Sequence, residues 1–270
     1  MKMMLYNSIK KKYRKLRVFL EPHPFFSSMD RMKLSKIIRG YSEKGFLMLR
    51  PKGFKHRIKI RKNYTDREVV EYVLQDKYHL PPSEVTLSES PIILDLGTNI
   101  GLTIAHFKEL YPNASVYGFE MNPENYKLAL YNTRVYKNVS IANKAVWIDN
   151  AGITYASDAS YDSFAIDRST KQVESNVTKV PSITISEIIK AHGLKKIDYI
   201  KMDIEGAEED ILDQEDVSWL DIVEVLNIEM HFEQGDDRIK EYMSILEQQG
   251  FDVRESDAHW SSIFAVRKTS

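Results

Sequence analysis

The spacing of hydrophobic residues divides this chain of 270 residues into distinct regions. In residues 1–45, hydrophobic side chains recur at helical spacing and predict an amphipathic helix. Two short segments, 46–50 and 57–61, predict a short β-rich piece, and residues 66–75 predict a helix. From residue 91 onward, strand and helix patterns alternate. This alternation is typical of a mostly parallel sheet that is covered by helices on both faces.

Short apolar segments mark the strands of the C-terminal region. The last two, 251–255 and 263–267, are separated by a loop too short for a crossover helix, so they must pair antiparallel. The sequence therefore predicts a doubly wound α/β domain at residues 91–270 that ends in an antiparallel hairpin. A basic helical and β extension is predicted at residues 1–90. The strands predicted before the hairpin lie at residues 92–96, 116–119, 197–202 and 222–228.

The composition is that of a folded protein, because hydrophobic residues make up 43% of the chain. It contains no cysteine, which excludes a disulfide scaffold, a thiolate metal site and a cysteine nucleophile. The sequence has no run of about 18 apolar residues, so a membrane-spanning helix is not expected. The N-terminus also lacks the apolar segment of a signal peptide. These features predict a cytoplasmic protein.

Positive charge is concentrated at the N-terminus, where several lysines and arginines precede the first acidic residue, Glu21. Three interpretations of residues 1–20 remain open. The helix packs on the core or on a second subunit in a homodimer, or it lies on an anionic membrane surface, or it contacts an anionic acceptor or nucleic acid. Peripheral contact with a membrane is therefore one expectation for this segment.

A glycine loop follows the first strand of the α/β region. The sequence DLGTNIG begins at Asp95, and Gly97 and Gly101 let the backbone approach a ligand closely. Leu102 takes the place of the third glycine in the G-x-G-x-x-G pattern of dinucleotide enzymes, which argues against a pyrophosphate ligand. Asp95 is a candidate for binding an ammonium group of a cofactor, and Glu120 is placed to accept hydrogen bonds from ribose hydroxyls. A tight strand–helix turn with a capping acid is the alternative.

Three segments of the chain carry a family resemblance. They are ILDLGTNIG at residues 93–101, GFEMNP at residues 118–123 and KMDIEGAE at residues 201–208. Together they resemble the FkbM family of S-adenosylmethionine-dependent methyltransferases. The resemblance covers roughly residues 46–267, and KMDIEGAE is its most specific part.

The resemblance implies a class I methyltransferase fold, which is a Rossmann-like sheet of seven strands. It also implies S-adenosylmethionine as cofactor and methyl transfer to a hydroxyl of a sugar, glycan or related natural product. The chain departs from the family where Met121 replaces the usual proline and Thr98 the usual alanine. The cofactor-binding residues predicted from the loop and the resemblance are Asp95, Gly97, Thr98, Asn99, Gly101, Glu120, Met121, Asn122, Ala145 and Asp203.

Methyl transfer to a hydroxyl calls for a base, because a hydroxyl is a poor nucleophile at neutral pH. Asp203 follows a central strand and is the first candidate, although it is equally suited to hydrogen-bond the amine of the cofactor. Glu205, Glu229 and His231 complete the predicted catalytic set. These side chains would also suit a divalent cation such as Mg²⁺. The acids predicted to form a solvated helix face are Glu208, Glu209 and Asp210.

The expected acceptor is a small molecule or glycan rather than a nucleic acid. The catalytic half has neither the Asp/Asn-Pro-Pro-aromatic box of amine methylation nor an aromatic and basic platform for bases. A nucleic-acid methyltransferase, a nicotinamide oxidoreductase and a non-catalytic partner-binding module are the alternatives. The residues predicted to contact substrate are Tyr64, Asp66, Ser163, His259 and Trp260.

Overall fold

The computed structural model describes residues 25–37, 43–156, 177–232, 235–256 and 261–268. The basic helix predicted within residues 1–20 lies outside these ranges, and so do Ser163, His259 and Trp260. No helix in the described ranges is both long and apolar enough to cross a membrane.

The chain divides into two compact units, Met1–Gln75 and Asp76–Ser270. The sequence predicts the domain boundary near residue 90, which is later in the chain than the boundary between these two units. Residues 76–90 belong to the second unit. Leu80, Val85 and Leu87 of this segment pack in a hydrophobic cluster of the second unit.

The first unit contains two strands and two helices among its described residues. Its two strands, which the sequence predicts, pair antiparallel. Its second helix begins earlier than the sequence pattern predicts, because the side chain of Asn63 caps it by accepting a hydrogen bond from the Asp66 N–H at 2.8 Å. The elements are α1 (Ser28–Leu34), β1 (Glu43–Leu49), β2 (Ile58–Lys62) and α2 (Tyr64–Glu71). A π-helical turn at Tyr72–Asp76 follows α2 and ends in the first residue of the second unit.

The second unit is built on a sheet of seven strands. In spatial order these are β12 (Phe251–Glu255), β13 (Ser262–Arg267), β11 (Val225–Glu229), β10 (Tyr199–Met202), β3 (Ile92–Leu96), β4 (Ser115–Phe119) and β5 (Val139–Ala142). β13 lies antiparallel to both β11 and β12, and the other pairs are parallel. The order reverses between β3 and β10, which is where open α/β sheets bind ligands. The predicted doubly wound sheet with a C-terminal antiparallel hairpin is therefore confirmed.

Helices and two short strand pairs complete the described part of the second unit. The helices are α3 (Leu102–Leu110), α4 (Pro123–Thr133), α5 (Ile185–His192), α6 (Glu208–Leu212), a 3-10 helix at Ser218–Ile222, and α7 (Arg238–Gln248). The short pairs are β6 (Ala145–Val146) with β9 (Ser182–Ile183), and β7 (Ile153–Ala156) with β8 (Val177–Val180).

The central strands are buried on both faces. Along β10, Ile200 and Met202 belong to one hydrophobic cluster, and Tyr199 belongs to another. This burial explains the continuous apolar pattern of these strands, since neither face meets water. Two polar residues interrupt it at paired positions near the strand ends, Asp95 and Lys201. The carboxyl end of the sheet at β3 and β10 is therefore the place where polar groups enter the core.

Candidate cofactor and catalytic site

The glycine loop between β3 and α3 is held tightly against neighbouring backbone. Gly97 has a φ of 84°, and its N–H donates to the carbonyl of Phe119 at 3.0 Å. A Cβ atom on Gly97 would lie 1.7 Å from the carbonyl oxygen of Asp203. A Cβ on Gly101 would lie 2.8 Å from the Cα of Ala129. Both glycines are therefore required by the close approach of β10 and α4 to the loop.

Glu120 follows β4 and presents its carboxylate to the same loop. Its Oε2 accepts the N–H of Asn99 and its Oε1 accepts the N–H of Asn122, both at 2.7 Å. Burial raises the pKa of Glu120 to about 7, although these two backbone hydrogen bonds oppose the rise. Each carboxylate oxygen can accept more than one hydrogen bond, so Glu120 can also accept two neighbouring hydroxyls of a ribose.

A cavity opens beside the glycine loop at the ends of β4 and β10. Its apolar wall includes Val146 and Ile153, and its acidic wall includes Glu205. The predicted cofactor-binding residues that line it are Gly97, Asn99, Glu120, Met121, Ala145 and Asp203. The other predicted residues support the loop and the starts of α3 and α4: Asp95, Thr98, Gly101 and Asn122.

Asp95 lies behind the loop and is fully buried. Its Oδ2 accepts the hydroxyl of Thr103 at 2.5 Å, and its Oδ1 lies 3.9 Å from the Nζ of Lys201. Burial raises the pKa of Asp95, and the charge of Lys201 opposes that rise. The carboxylate predicted to bind an ammonium group thus already faces a cation of the protein.

Lys201 connects the glycine loop to the acidic residues, a role that the sequence did not suggest. Its side chain is only 2% exposed. Its Nζ donates to the carbonyl of Gly97 at 2.8 Å and lies 3.0 Å from Oδ2 of Asp203. Burial alone would lower the pKa of Lys201, but the charge of Asp203 holds it well above the usual value. Lys201 is therefore a permanent buried cation at the base of the site.

Asp203 receives a second donor from a residue that sequence patterns missed. The hydroxyl of Tyr78 donates to Oδ2 of Asp203 at 3.2 Å. Burial alone would raise the pKa of Asp203, but the positive charges of Lys201 and His231 lower it. Asp203 is therefore a carboxylate that stays ionised. Tyr78 belongs to no strand or helix pattern, so only the fold brings it to the site.

His231 lies beside three carboxylates of the segment that follows β10. Its Nε2 is 3.3 Å from Oε2 of Glu205 and 3.7 Å from Oδ1 of Asp203, and its Nδ1 is 3.3 Å from Oε1 of Glu208. Burial would lower the pKa of His231, but hydrogen bonds to Glu205 and Glu208 outweigh it and raise the pKa to about 12. His231 is therefore an imidazolium at neutral pH.

Glu208 was predicted to lie on a solvated helix face, and this prediction is wrong. Its side chain is 1% exposed, because its two oxygens accept the backbone N–H groups of Ile204 at 2.7 Å and Gly206 at 2.8 Å. These bonds close a tight turn in which Glu205 adopts a φ of 60°. The neighbouring Glu209 fits the prediction better, since it forms a surface ion pair with Arg238.

Glu229 is the last residue of β11. It lies beside Asp203 at the carboxyl ends of these two parallel strands, because Met202 pairs with Ile228. Burial and the charge of Asp203 raise the pKa of Glu229 to about 8. One potential metal-ligand atom from each of Asp203, Glu205 and His231 lies within 4.8 Å of the other two. The structure thus gathers the predicted catalytic residues at one place, and the predicted Mg²⁺ stays a prediction.

Two of the predicted substrate residues lie in the first unit. Asp66 is buried and accepts the backbone N–H of Arg61 at 2.7 Å and its guanidinium at 2.7 Å. Tyr64 begins α2, but its side chain is outside the described part of the structure, as are Ser163, His259 and Trp260. Their contacts with substrate stay predictions.

Comparison with known proteins decides the family. The methyltransferase FkbM domain matches residues 95–253, which is more than half of the chain. The chain belongs to the FkbM methyltransferase family. Methyltransferase sdnD of Sordaria araneosa is 26% identical over 207 residues, covering 65% of this chain and 79% of that protein. Methyltransferase 1 of Beauveria bassiana is 22% identical over 193 residues, covering 64% of this chain and 77% of that protein.

Two solved structures of fibrillarin also align with this chain at low sequence identity. Fibrillarin of Aeropyrum pernix, crystallised with S-adenosylmethionine, aligns with a TM-score of 0.45 at 14% identity over 85% of this chain and 86% of that one. Fibrillarin of Methanococcus jannaschii aligns with a TM-score of 0.46 at 13% identity over 87% of each chain. The expected family, fold and cofactor class are confirmed, and the protein is an S-adenosylmethionine-dependent methyltransferase.

Proposed function

We propose that this FkbM methyltransferase transfers the methyl group of S-adenosylmethionine to a hydroxyl of a sugar, glycan or related natural product. The observation that supports this acceptor most directly is Glu229, a carboxyl group with a pKa of about 8 beside the ionised Asp203 at the sheet edge. A base is most effective when its pKa lies near the working pH, and a hydroxyl acceptor needs such a base.

The side chains around the cavity fit the parts of S-adenosylmethionine. Glu120 would accept the two ribose hydroxyls, and the apolar wall at Val146 and Ile153 would suit the adenine. Asp203 stays ionised and would suit the ammonium of the methionyl end. The bound cofactor supplies a methyl group on a sulfonium, which is ready for in-line displacement.

The protein must orient the acceptor and remove its proton. Glu229 would take up the proton that the acceptor hydroxyl loses as its oxygen receives the methyl group of the bound cofactor. Asp203 and His231 are unsuited to this step, because Asp203 has a lowered pKa and His231 keeps its proton at neutral pH. Such a base typically accelerates transfer by about 10²–10⁴-fold.

The test of this function follows a labelled methyl group into its product. The protein, given S-adenosylmethionine with a ¹³C-methyl group, is expected to label hydroxyl acceptors such as mono- and oligosaccharides, and NMR identifies the methyl ether. Because Glu229 must be ionised, the rate should rise with pH through about 8, and Glu229→Gln should remove this rise. Label that enters RNA or amines instead, or no label in any acceptor, would refute the proposal.

Cofactor selection can be measured without an acceptor. Calorimetry is expected to show binding of S-adenosylhomocysteine and none of NAD⁺, because the loop lacks the third glycine of dinucleotide enzymes. Glu120→Gln should weaken this binding about tenfold by removing a charged acceptor from the ribose hydroxyls. Glu124→Gln is the control, since Glu124 is exposed and pairs with Lys127. Equal effects of the two variants would contradict the role of Glu120.

The other expectations of the sequence stay proposals. They are a small-molecule or glycan acceptor rather than nucleic acid, a cytoplasmic location, contact of residues 1–20 with a membrane surface, and a homodimer.

A further inference from the structure

The segment at Tyr78 and His79 is fixed to the central strands by two buried side chains. Asn227 of β11 donates from Nδ2 to the carbonyl of Tyr78 at 2.7 Å. Tyr199 of β10 donates its hydroxyl to the carbonyl of His79 at 2.8 Å. Two neighbouring strands therefore hold two consecutive carbonyls of one loop.

Contacts of the His79 ring also hold this segment. His79 is fully buried, and its Nε2 lies 3.1 Å from Nδ1 of His106. Its ring also meets Phe107 edge to face, with the ring centroids 5.2 Å apart. Burial lowers the pKa of His79 well below the usual value, so the ring stays neutral. The backbone at Tyr78 is therefore fixed by the sheet and by α3.

These contacts place the Tyr78 hydroxyl next to Oδ2 of Asp203. Oδ2 accepts the Tyr78 hydroxyl at 3.2 Å and lies 3.0 Å from the Nζ of Lys201. Oδ1 lies 3.7 Å from Nε2 of His231, beyond ordinary hydrogen-bond distance. The protein thus binds one oxygen of Asp203 firmly and leaves the other available to a ligand in the cavity.

We propose that Tyr78 is a positioning residue of the cofactor site, which together with Lys201 orients Asp203 so that Oδ1 accepts the methionyl ammonium of S-adenosylmethionine. The proposal rests on the proposed function, because that function assigns Asp203 to the ammonium. Burial raises the pKa of Tyr78, so its phenol remains a donor at every physiological pH. Lys201 alone cannot fix the carboxylate plane, since one ammonium donor leaves the group free to rotate about it.

Two ligands separate this role from general damage to the site. S-Adenosylhomocysteine contains the methionyl end, whereas 5′-methylthioadenosine has the same adenosine and sulfur without it. In Tyr78→Phe, calorimetry should show about tenfold weaker binding of S-adenosylhomocysteine. Binding of 5′-methylthioadenosine should be unchanged. Tyr242→Phe is the matched control, because Tyr242 also donates to a carboxylate, Asp213 at 3.0 Å, outside the cavity lining.

The outcomes are distinguishable from failure of the proposed function. If the wild type binds neither ligand, both proposals fall. If it binds both and Tyr78→Phe weakens only S-adenosylhomocysteine, the positioning role is supported. Equal weakening of both ligands would overturn this role, because it would indicate a distorted cavity, and so would unchanged binding of S-adenosylhomocysteine.

Discussion

Gly97→Ala is expected to abolish measurable binding of S-adenosylhomocysteine and to lower the free energy of unfolding by about 3 kcal/mol. The added Cβ would lie 1.7 Å from the carbonyl oxygen of Asp203, so β10 and the glycine loop must move apart. That movement would break the 2.8 Å hydrogen bond that Lys201 Nζ donates to the carbonyl of Gly97. It would also displace Asp203 from the cavity. Calorimetry and urea denaturation measure the two effects.

Gly235→Ala isolates the contribution of the backbone conformation. Gly235 has a φ of 88°, close to the 84° of Gly97. Within the described part of the chain, and apart from its immediate neighbours, no heavy atom lies within 4 Å of the position that an added Cβ would take. Its substitution should cost about 1 kcal/mol and leave ligand binding intact. If Gly97→Ala behaved like this control, the close contact with Asp203 would not be what requires a glycine in the loop.

Most strands of the large sheet were predictable from the sequence, but their exact bounds were not. Residues 197–202 predict one strand, whereas β10 begins at Tyr199. Ile197 forms only an isolated bridge to Val223, and the side chain of Asp198 accepts the N–H of Ile92 at 2.8 Å. A hydrophobic pattern records burial, and it cannot show where a side chain replaces the ladder of backbone hydrogen bonds.

Some residues of the candidate site were also predictable from the sequence, and others were not. Gly97 and Glu120 were predictable, because a ligand-binding turn needs a glycine and a ribose needs an acceptor at a known spacing. Tyr78 and Lys201 were not assigned a role, since their importance lies in contacts between segments distant in the chain. Glu208 was misjudged for another reason. An acid at the start of a helix resembles a solvated residue until its backbone partners are known.

Glu208→Gln is expected to lower the free energy of unfolding by about 2–4 kcal/mol. The two carboxylate oxygens accept the N–H groups of Ile204 and Gly206, and an amide has only one oxygen to offer. One buried N–H would then face another donor. The substitution would also remove a negative charge 3.3 Å from His231. Urea denaturation at constant m-value measures the loss of stability.

The pKa of His231 provides a second and independent measurement of the same substitution. That pKa is raised to about 12 by hydrogen bonds to Glu205 and Glu208 despite burial, so removing one partner should lower it by about one unit or more. Glu209→Gln is the control on the same helix, and its surface pair with Arg238 should contribute less than about 1 kcal/mol. NMR titration of the imidazole nitrogens distinguishes the variants. If both substitutions left His231 and the stability unchanged, Glu208 could not be the group that fixes the turn and the imidazolium together.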